Sequence, residues 1–150
     1  MRAPSHKGHM KLPGFSVIAI AAAMLCNPAY AHEYYAKSFK VIHPWADATP
    51  TGASSAAVFL KIEEISEGDR LLSAQTSFAE RVELRTAIST ATPAKAIDLP
   101  AGPDIDLDAG SAYLQLVNLT APLQWGRSYP MTLVFEKSGH VDVMISVGAH

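Results

Sequence analysis

Cysteine is nearly missing from this chain: the single one, Cys26, lies inside the first 31 residues, which read as a removable leader. The remaining product therefore has no disulfide and no thiolate, which excludes thiol catalysis, cysteine zinc sites and iron–sulfur clusters. No basic stripe with interleaved aromatics appears, and no glycine-rich phosphate loop, so nucleic acid is not an expected partner. Internal repeats and low-complexity tracts are missing too. Ser, His and Asp occur, but no Gly-x-Ser-x-Gly elbow or other nucleophile context surrounds them, so an enzyme is not expected. Helix-period segments long enough to cover a sheet are also lacking, which argues against an α/β fold.

The amino-terminal stretch has a basic lead of Arg2, Lys7 and Lys11, then an apolar run over 15–25 broken only by Ser16, then Ala29-Tyr30-Ala31. That is the order of a secretory signal, with cleavage expected before His32. The run is well short of the ~20 residues that span a bilayer, so no membrane span is expected after signal removal. A lipid anchor on Cys26 is the other reading, but Met24 and Leu25 stand where small residues are expected before a lipidated cysteine. Cleavage leaves residues 32–150 as one domain in an oxidising compartment, the periplasm. It also removes three of twelve basic residues and none of fourteen acidic ones, which takes the net charge to −5.

The organising stretch is Ala112 to Leu119, where polar and apolar residues alternate. Leu114, Leu116 and Asn118 are expected to face one way and Tyr113, Gln115 and Val117 the other, the period of a strand with one face on a core. Similar alternation predicts strands over 39–43, 56–62, 71–76, 81–86, 131–136 and 141–147, with a brief one at 104–107. Pro44 is expected to end the first. Residues 87–103 read mostly as loop with a short strand at 96–99, and 137–140 as a hairpin loop holding His140. About eight short strands predict an all-β, single-domain Greek-key β-sandwich. Its inward faces would carry Val58, Leu60, Ile62, Val82, Leu84, Leu114, Leu116, Leu133, Phe135, Val143 and Ile145.

Five words of this sequence, in order and spacing, resemble a known family: Pro44-Trp45, Asp69-Arg70-Leu71-Leu72, Ala79-Glu80-Arg81-Val82-Glu83-Leu84, Pro100-Ala101-Gly102, and Leu133-Val134-Phe135-Glu136-Lys137-Ser138-Gly139. The family is the periplasmic copper chaperones called PCu(A)C, and the likeness runs from about His32 to Val147. The resemblance implies a cupredoxin-like β-sandwich that, in typical members, holds one copper(I) through His and Met and passes it toward cytochrome oxidase.

The ligand positions implied by the resemblance do not hold ligands here. Glu83-Leu84 is followed by Arg85 where typical members have a His, the segment 86–99 contains no Met, and the His-x-Met pair falls on Tyr113 and Gln115. Copper(I) is soft and gains little from a guanidinium, a phenol or an amide. A fixed cation at Arg85 would repel it by roughly 4 kcal/mol at about 4 Å and an effective dielectric of 20. The family site is therefore expected to be degenerate, with no cofactor. The domain then reads as a protein- or ligand-binding module linked to copper handling or oxidase assembly, its partner a periplasmic or membrane-bound protein of that kind.

The alternative keeps copper as cargo. Cleavage before His32 would free an α-amine beside an imidazole, and His43 or His150 would add nitrogen, a donor set suited to copper(II). Met131 and Met144 are expected to fill the core. Asp104, Asp106 and Asp108 share one face and read as a solvated strand edge, with a hard-cation site as the rival. Glu83 and Arg85 are expected to form a structural ion pair with residues of a facing strand, the rival being an anionic ligand.

Overall fold

The computed structural model describes residues 33–148, together with Pro4, Gly8 and Gly14. The expected signal and its cleavage site, with His32 and His150, lie outside these residues apart from those three positions. Among the described residues there is no helix, and eleven strands follow in order: β1 (Glu33–Tyr35), β2 (Lys40–Ala46), β3 (Ser55–Glu63), β4 (Asp69–Gln75), β5 (Ala79–Thr86), β6 (Ser89–Ala94), β7 (Ile97–Leu99), β8 (Ile105–Leu107), β9 (Ala112–Leu119), β10 (Ser128–Phe135) and β11 (Gly139–Val147).

Pairing runs β6-β5-β9-β3-β2-β11-β10-β4-β7, with β1 added to β2 and β8 to β3. Strand β3, nine residues long, serves both layers of the sandwich: positions 55–58 pair with β9, and 60–62 pair with β8. One layer is thus β3-β9-β5-β6 and the other β2-β11-β10-β4-β7. At the far edge Lys95 and Ala96 carry the chain from β6 to β7, across from one layer to the other. The sandwich is therefore nearly closed on itself, and closure limits the free edges on which another chain's strand can pair. Every pairing is antiparallel except β11 with β2, where Ser146 lies level with Trp45.

Alternation explains the core. Val58, Leu60 and Ile62 of β3, Leu84 of β5, Leu114 and Leu116 of β9, Leu133 and Phe135 of β10, and Val143 and Ile145 of β11 are all buried, as expected. Each contributes about 1.5–3 kcal/mol when fully removed from water. Val82, expected inside, is only half-buried at the margin of the cluster.

Several local expectations are corrected. Pro44 does not end β2. The register against β3 shifts between Ile42 and Trp45, and His43 takes a φ of +45°. A bulge tolerates a residue that cannot donate to the ladder, so the strand continues past the proline. Asn118 does not share the inner face of Leu114 and Leu116. It is exposed, has a φ of +56°, and donates from its side-chain amide to Glu80. Residues 89–94 form an edge strand, β6, instead of a loop; small polar residues with a proline give no apolar alternation to read. His140 sits on β11 opposite Val134, exposed, and not in the hairpin loop. Met131 is buried as expected, but Met144 is 39% exposed.

Two of the five family words meet at Asp69. This carboxylate, only 5% exposed, accepts from the backbone N–H of Arg70 (2.7 Å), Lys137 (2.9 Å) and Ser138 (2.9 Å), and from the Ser138 hydroxyl (2.8 Å). It ties the start of β4 to the β10–β11 hairpin, whose turn closes on Gly139 at a φ of +70°. Burial pushes the Asp69 carboxyl up, but the four hydrogen bonds outweigh burial and hold it below its ordinary value.

Candidate metal centre

The face expected from the sequence assembles on three neighbouring strands. Arg85 of β5 lies level with Tyr113 of β9, and Glu83 level with Gln115, which in turn faces Ala57 of β3. Leu84, Leu114 and Leu116 are buried, so Glu83, Arg85, Tyr113 and Gln115 project from the opposite, outer side, half-buried. The aromatic row continues: the Tyr113 ring lies 6.1 Å from Phe59, and Phe59 lies 4.8 Å from Trp45. Beside it is a depression of about 310 Å³ lined by Ala57, Phe59, Ala109, Tyr113 and Gln115 among others.

The Arg85 guanidinium pairs with the Glu83 carboxylate on its own strand, and Arg81 pairs with the same carboxylate at 3.1 Å. The expected partner was a facing strand, but neighbours two apart on one strand face are close enough for long side chains to meet. The Glu83 and Arg85 side chains are only 13% and 18% exposed, so their pair is shielded from solvent. Burial raises the Glu83 carboxyl, but hydrogen bonds and charge from Arg81 and Arg85 bring it below its ordinary value. Glu83 therefore stays ionised between the two guanidiniums, and Glu80 lies 3.9 Å from Arg81, so two carboxylates balance two guanidinium charges. An arriving cation meets a compensated ion-pair network, a phenol and an amide. Such a surface forms hydrogen bonds and offers no soft donor.

The second group of candidate donors lies elsewhere. His43 sits at the bulge of β2, where Val41, Pro44 and Ala46 are buried and Ile42, His43 and Trp45 lie half-buried on the outer side. The bulge is what places two successive residues on that side. Glu33, which follows His32 in the sequence, pairs with Ile42, which precedes His43. His32 itself lies outside the described residues, as does His150.

Among the described residues no three His, Cys, Asp or Glu side chains group as a metal site. Asp104, Asp106 and Asp108 are exposed; Lys61 lies 3.8 Å from Asp104, and Asp108 accepts from Gly110 N–H (2.8 Å) and the Ser111 hydroxyl (3.2 Å) within its own turn. Sequence reasoning missed the doubly paired Glu83 and the Trp45–Phe59–Tyr113 row. The alternation of Arg81, Glu83 and Arg85 was the available signal for the first. The second depends on strand order, which no local pattern carries.

The LpqE-like lipoprotein family model matches residues 39–147. Solved structures extend the likeness across the domain. A copper-bound PCuAC domain from PmoF2 is 28% identical with a TM-score of 0.70, the match covering 79% of this chain and 99% of that one. An apo PCuAC domain from PmoF1 is 30% identical with a TM-score of 0.73, covering 79% of this chain and all (100%) of that one. The copper(I) form of DR1885 from Deinococcus radiodurans, 18% identical with a TM-score of 0.60 over 71% of this chain and 75% of that one, shares the fold. No curated protein matches the chain.

Proposed function

From the premise that this chain belongs to the LpqE-like family and is a PCuAC-type, copper-chaperone-like domain, we propose that it handles copper outside the cytoplasm without the family's copper(I) ligand set. The observation that carries this reading is the Arg85–Glu83 ion pair beside Tyr113 and Gln115, at the positions where the resemblance implies the soft donors. No catalytic role is proposed. The signal over 1–31 directs the chain to the periplasm, and the half-buried outer face of β5, β9 and β3 serves a protein or ligand there. A periplasmic or membrane-bound copper-handling or oxidase-assembly protein is the partner class that fits.

A second reading, favoured by the bulge at His43, is that copper is bound through the nitrogens of His32 and His43. Processing before His32 creates a terminal amine next to an imidazole. Strand β1 delivers the chain at Glu33 to the neighbour of His43. Imidazole and amine nitrogens suit copper(II). Support also comes from the copper-bound PmoF2 domain, 28% identical to this chain.

Competition titration with copper(I) and copper(II), on protein recovered from the cell envelope with its amino terminus checked by mass spectrometry, tests both. The first reading expects that no copper(I) binding depends on Arg85, Tyr113 or Gln115. The second expects one copper(II) per chain, lost in His43→Ala and in His32→Ala. Tight copper(I) uptake abolished by Tyr113→Phe or Gln115→Ala would sink the first; copper(II) uptake indifferent to both histidines would sink the second.

A further inference from the structure

We propose that the depression beside Tyr113 binds an extended, proline-containing segment of a partner protein that also carries lysine or arginine. The proposal rests on the first reading above, in which the outer face of β5, β9 and β3 offers no soft donor, and it names the chemistry of the partner.

The aromatic surface supplies the first argument. The rings of Trp45, Phe59 and Tyr113 form a half-buried row across β2, β3 and β9, with centroid steps of 4.8 and 6.1 Å. At the ~3.1 Å rise of polyproline II, such a row spans roughly three to four residues. Ala57 and Ala109 line the depression of about 310 Å³ together with Phe59 and Tyr113, so small side chains leave open the space between the rings and the β8–β9 turn. A proline ring is apolar and rigid, and it packs against aromatic faces at little cost in conformational entropy.

Backbone hydrogen bonding supplies the second. Strand β9 pairs with β5 on one side and β3 on the other, and β3 pairs with β2 on its far side. The amides and carbonyls of these strands are engaged in ladders, so a segment lying on this face gains no strand pairing. Strand addition needs a free edge, and the middle of this face has none. Polyproline II has no internal hydrogen bonds and keeps its backbone hydrated, and proline has no N–H to leave unpaired. The Tyr113 hydroxyl and the Gln115 amide can donate to the carbonyls of such a segment.

Charge supplies the third. Asp106 of β8 lies level with Lys61 of β3, two residues from Phe59 on the same outer face, and Asp104 lies 3.8 Å from that lysine. Glu63 also pairs with Lys61, at 3.4 Å, and Asp108 directly precedes Ala109 at the rim of the depression. One ammonium therefore stands against four carboxylates on this side of the row. On the other side Glu80 and Glu83 balance Arg81 and Arg85. The excess of negative charge favours a partner with Lys or Arg beside its prolines and opposes an acidic one.

The probes are synthetic peptides of about nine residues, built from repeats of Pro-Pro-Lys, Pro-Pro-Glu or Gly-Ser-Lys. Binding is measured by isothermal titration of wild type, and by fluorescence of Trp125→Phe, in which Trp45 is the one remaining tryptophan. The Pro-Pro-Lys peptide should bind with a Kd below about 1 mM, at least about tenfold tighter than the other two, and should shift the Trp45 emission. Tyr113→Ala should weaken it about tenfold. Asp104→Asn combined with Asp106→Asn, both at exposed positions, should weaken it about threefold and lessen its salt dependence. Thermal melts establish that each variant folds.

No binding of the Pro-Pro-Lys peptide, equal binding of the Gly-Ser-Lys peptide, or indifference to both variants would overturn the proposal. So would a concentration-dependent dimer that Tyr113→Ala abolishes, which would assign the face to a second copy of the chain. Those outcomes leave the first reading in place, whereas tight copper(I) uptake abolished by Tyr113→Phe or Gln115→Ala removes that reading and this proposal with it.

Discussion

Replacing Asp69 should loosen the hairpin that joins β10 and β11 from β4, and the size of the effect follows from four hydrogen bonds. The carboxylate takes three backbone N–H groups and one hydroxyl at 2.7–2.9 Å and is 5% exposed. Hydrogen bonds to a charged group are worth about 1.5–3 kcal/mol each, but bonds to one acceptor are not independent and some freed donors will find water. Asp69→Ala should therefore cost about 3–5 kcal/mol, which for a domain of this size lowers Tm by roughly 10–20 °C. Asp69→Asn keeps the shape but turns one acceptor oxygen into a donor facing either the Arg70 and Lys137 amides or the Ser138 amide; about 2–3 kcal/mol is expected. Ser138→Ala removes one bond and should cost about 1 kcal/mol.

The pH dependence adds a second, independent reading of the same site. The Asp69 carboxyl is held below its ordinary value of 3.8, so its stabilisation is fully present above that pH and is lost as pH falls through the lower, folded-state value. The stability gap between wild type and Asp69→Asn should be constant from neutral pH to about 5 and narrow below about 3.8. Urea melts followed by far-UV circular dichroism at a series of pH values measure it. A midpoint for Asp69→Asn equal to wild type at neutral pH, or a gap that stays open into acid, would refute the reasoning.

At the site proposed to be degenerate, the triple variant Arg85→His, Tyr113→His and Gln115→Met should bind copper(I) more tightly than the parent, read by competition titration; no gain would mean these positions do not converge on one ion. Asn118, at a φ of +56°, should accept glycine with little loss, whereas Asn118→Val should cost about 1–2 kcal/mol in a thermal melt. Equal melts for the two would mean the left-handed backbone is not imposed there. Tyr34→Phe removes the hydroxyl that accepts from the Met144 N–H and should speed hydrogen exchange of the Met144 amide with a loss of about 1 kcal/mol. An unchanged exchange rate would mean β1 is held by pairing with β2 alone.

Much of the candidate site was legible because the strand Ala112–Leu119 alternates from Tyr113 to Val117, and its boundaries in the structure are those the sequence implies. The same pattern put Tyr113 and Gln115 on one side and the buried leucines on the other. Where a rule of local geometry changes, legibility stops. Asn118 leaves the alternation through a left-handed φ, and His43 joins the outer face through a bulge that also carries β2 past Pro44. Strand β6 escaped notice because its stability comes from pairing at an edge and not from a buried apolar face.

By itself the sequence determined that the chain is all-β and that Leu and Val at every second position build its core. Those conclusions need only composition and a period of two, which any residue and its near neighbours reveal. Tertiary structure decided who stands beside whom: Arg85 against Glu83 instead of a facing strand, Asp69 beneath a turn almost seventy positions away, and Tyr34 of β1 against the backbone of Met144 in β11. Strand order joins residues far apart in the chain, and long-range pairing is fixed by which closed arrangement buries the most apolar surface, a property of all the strands together.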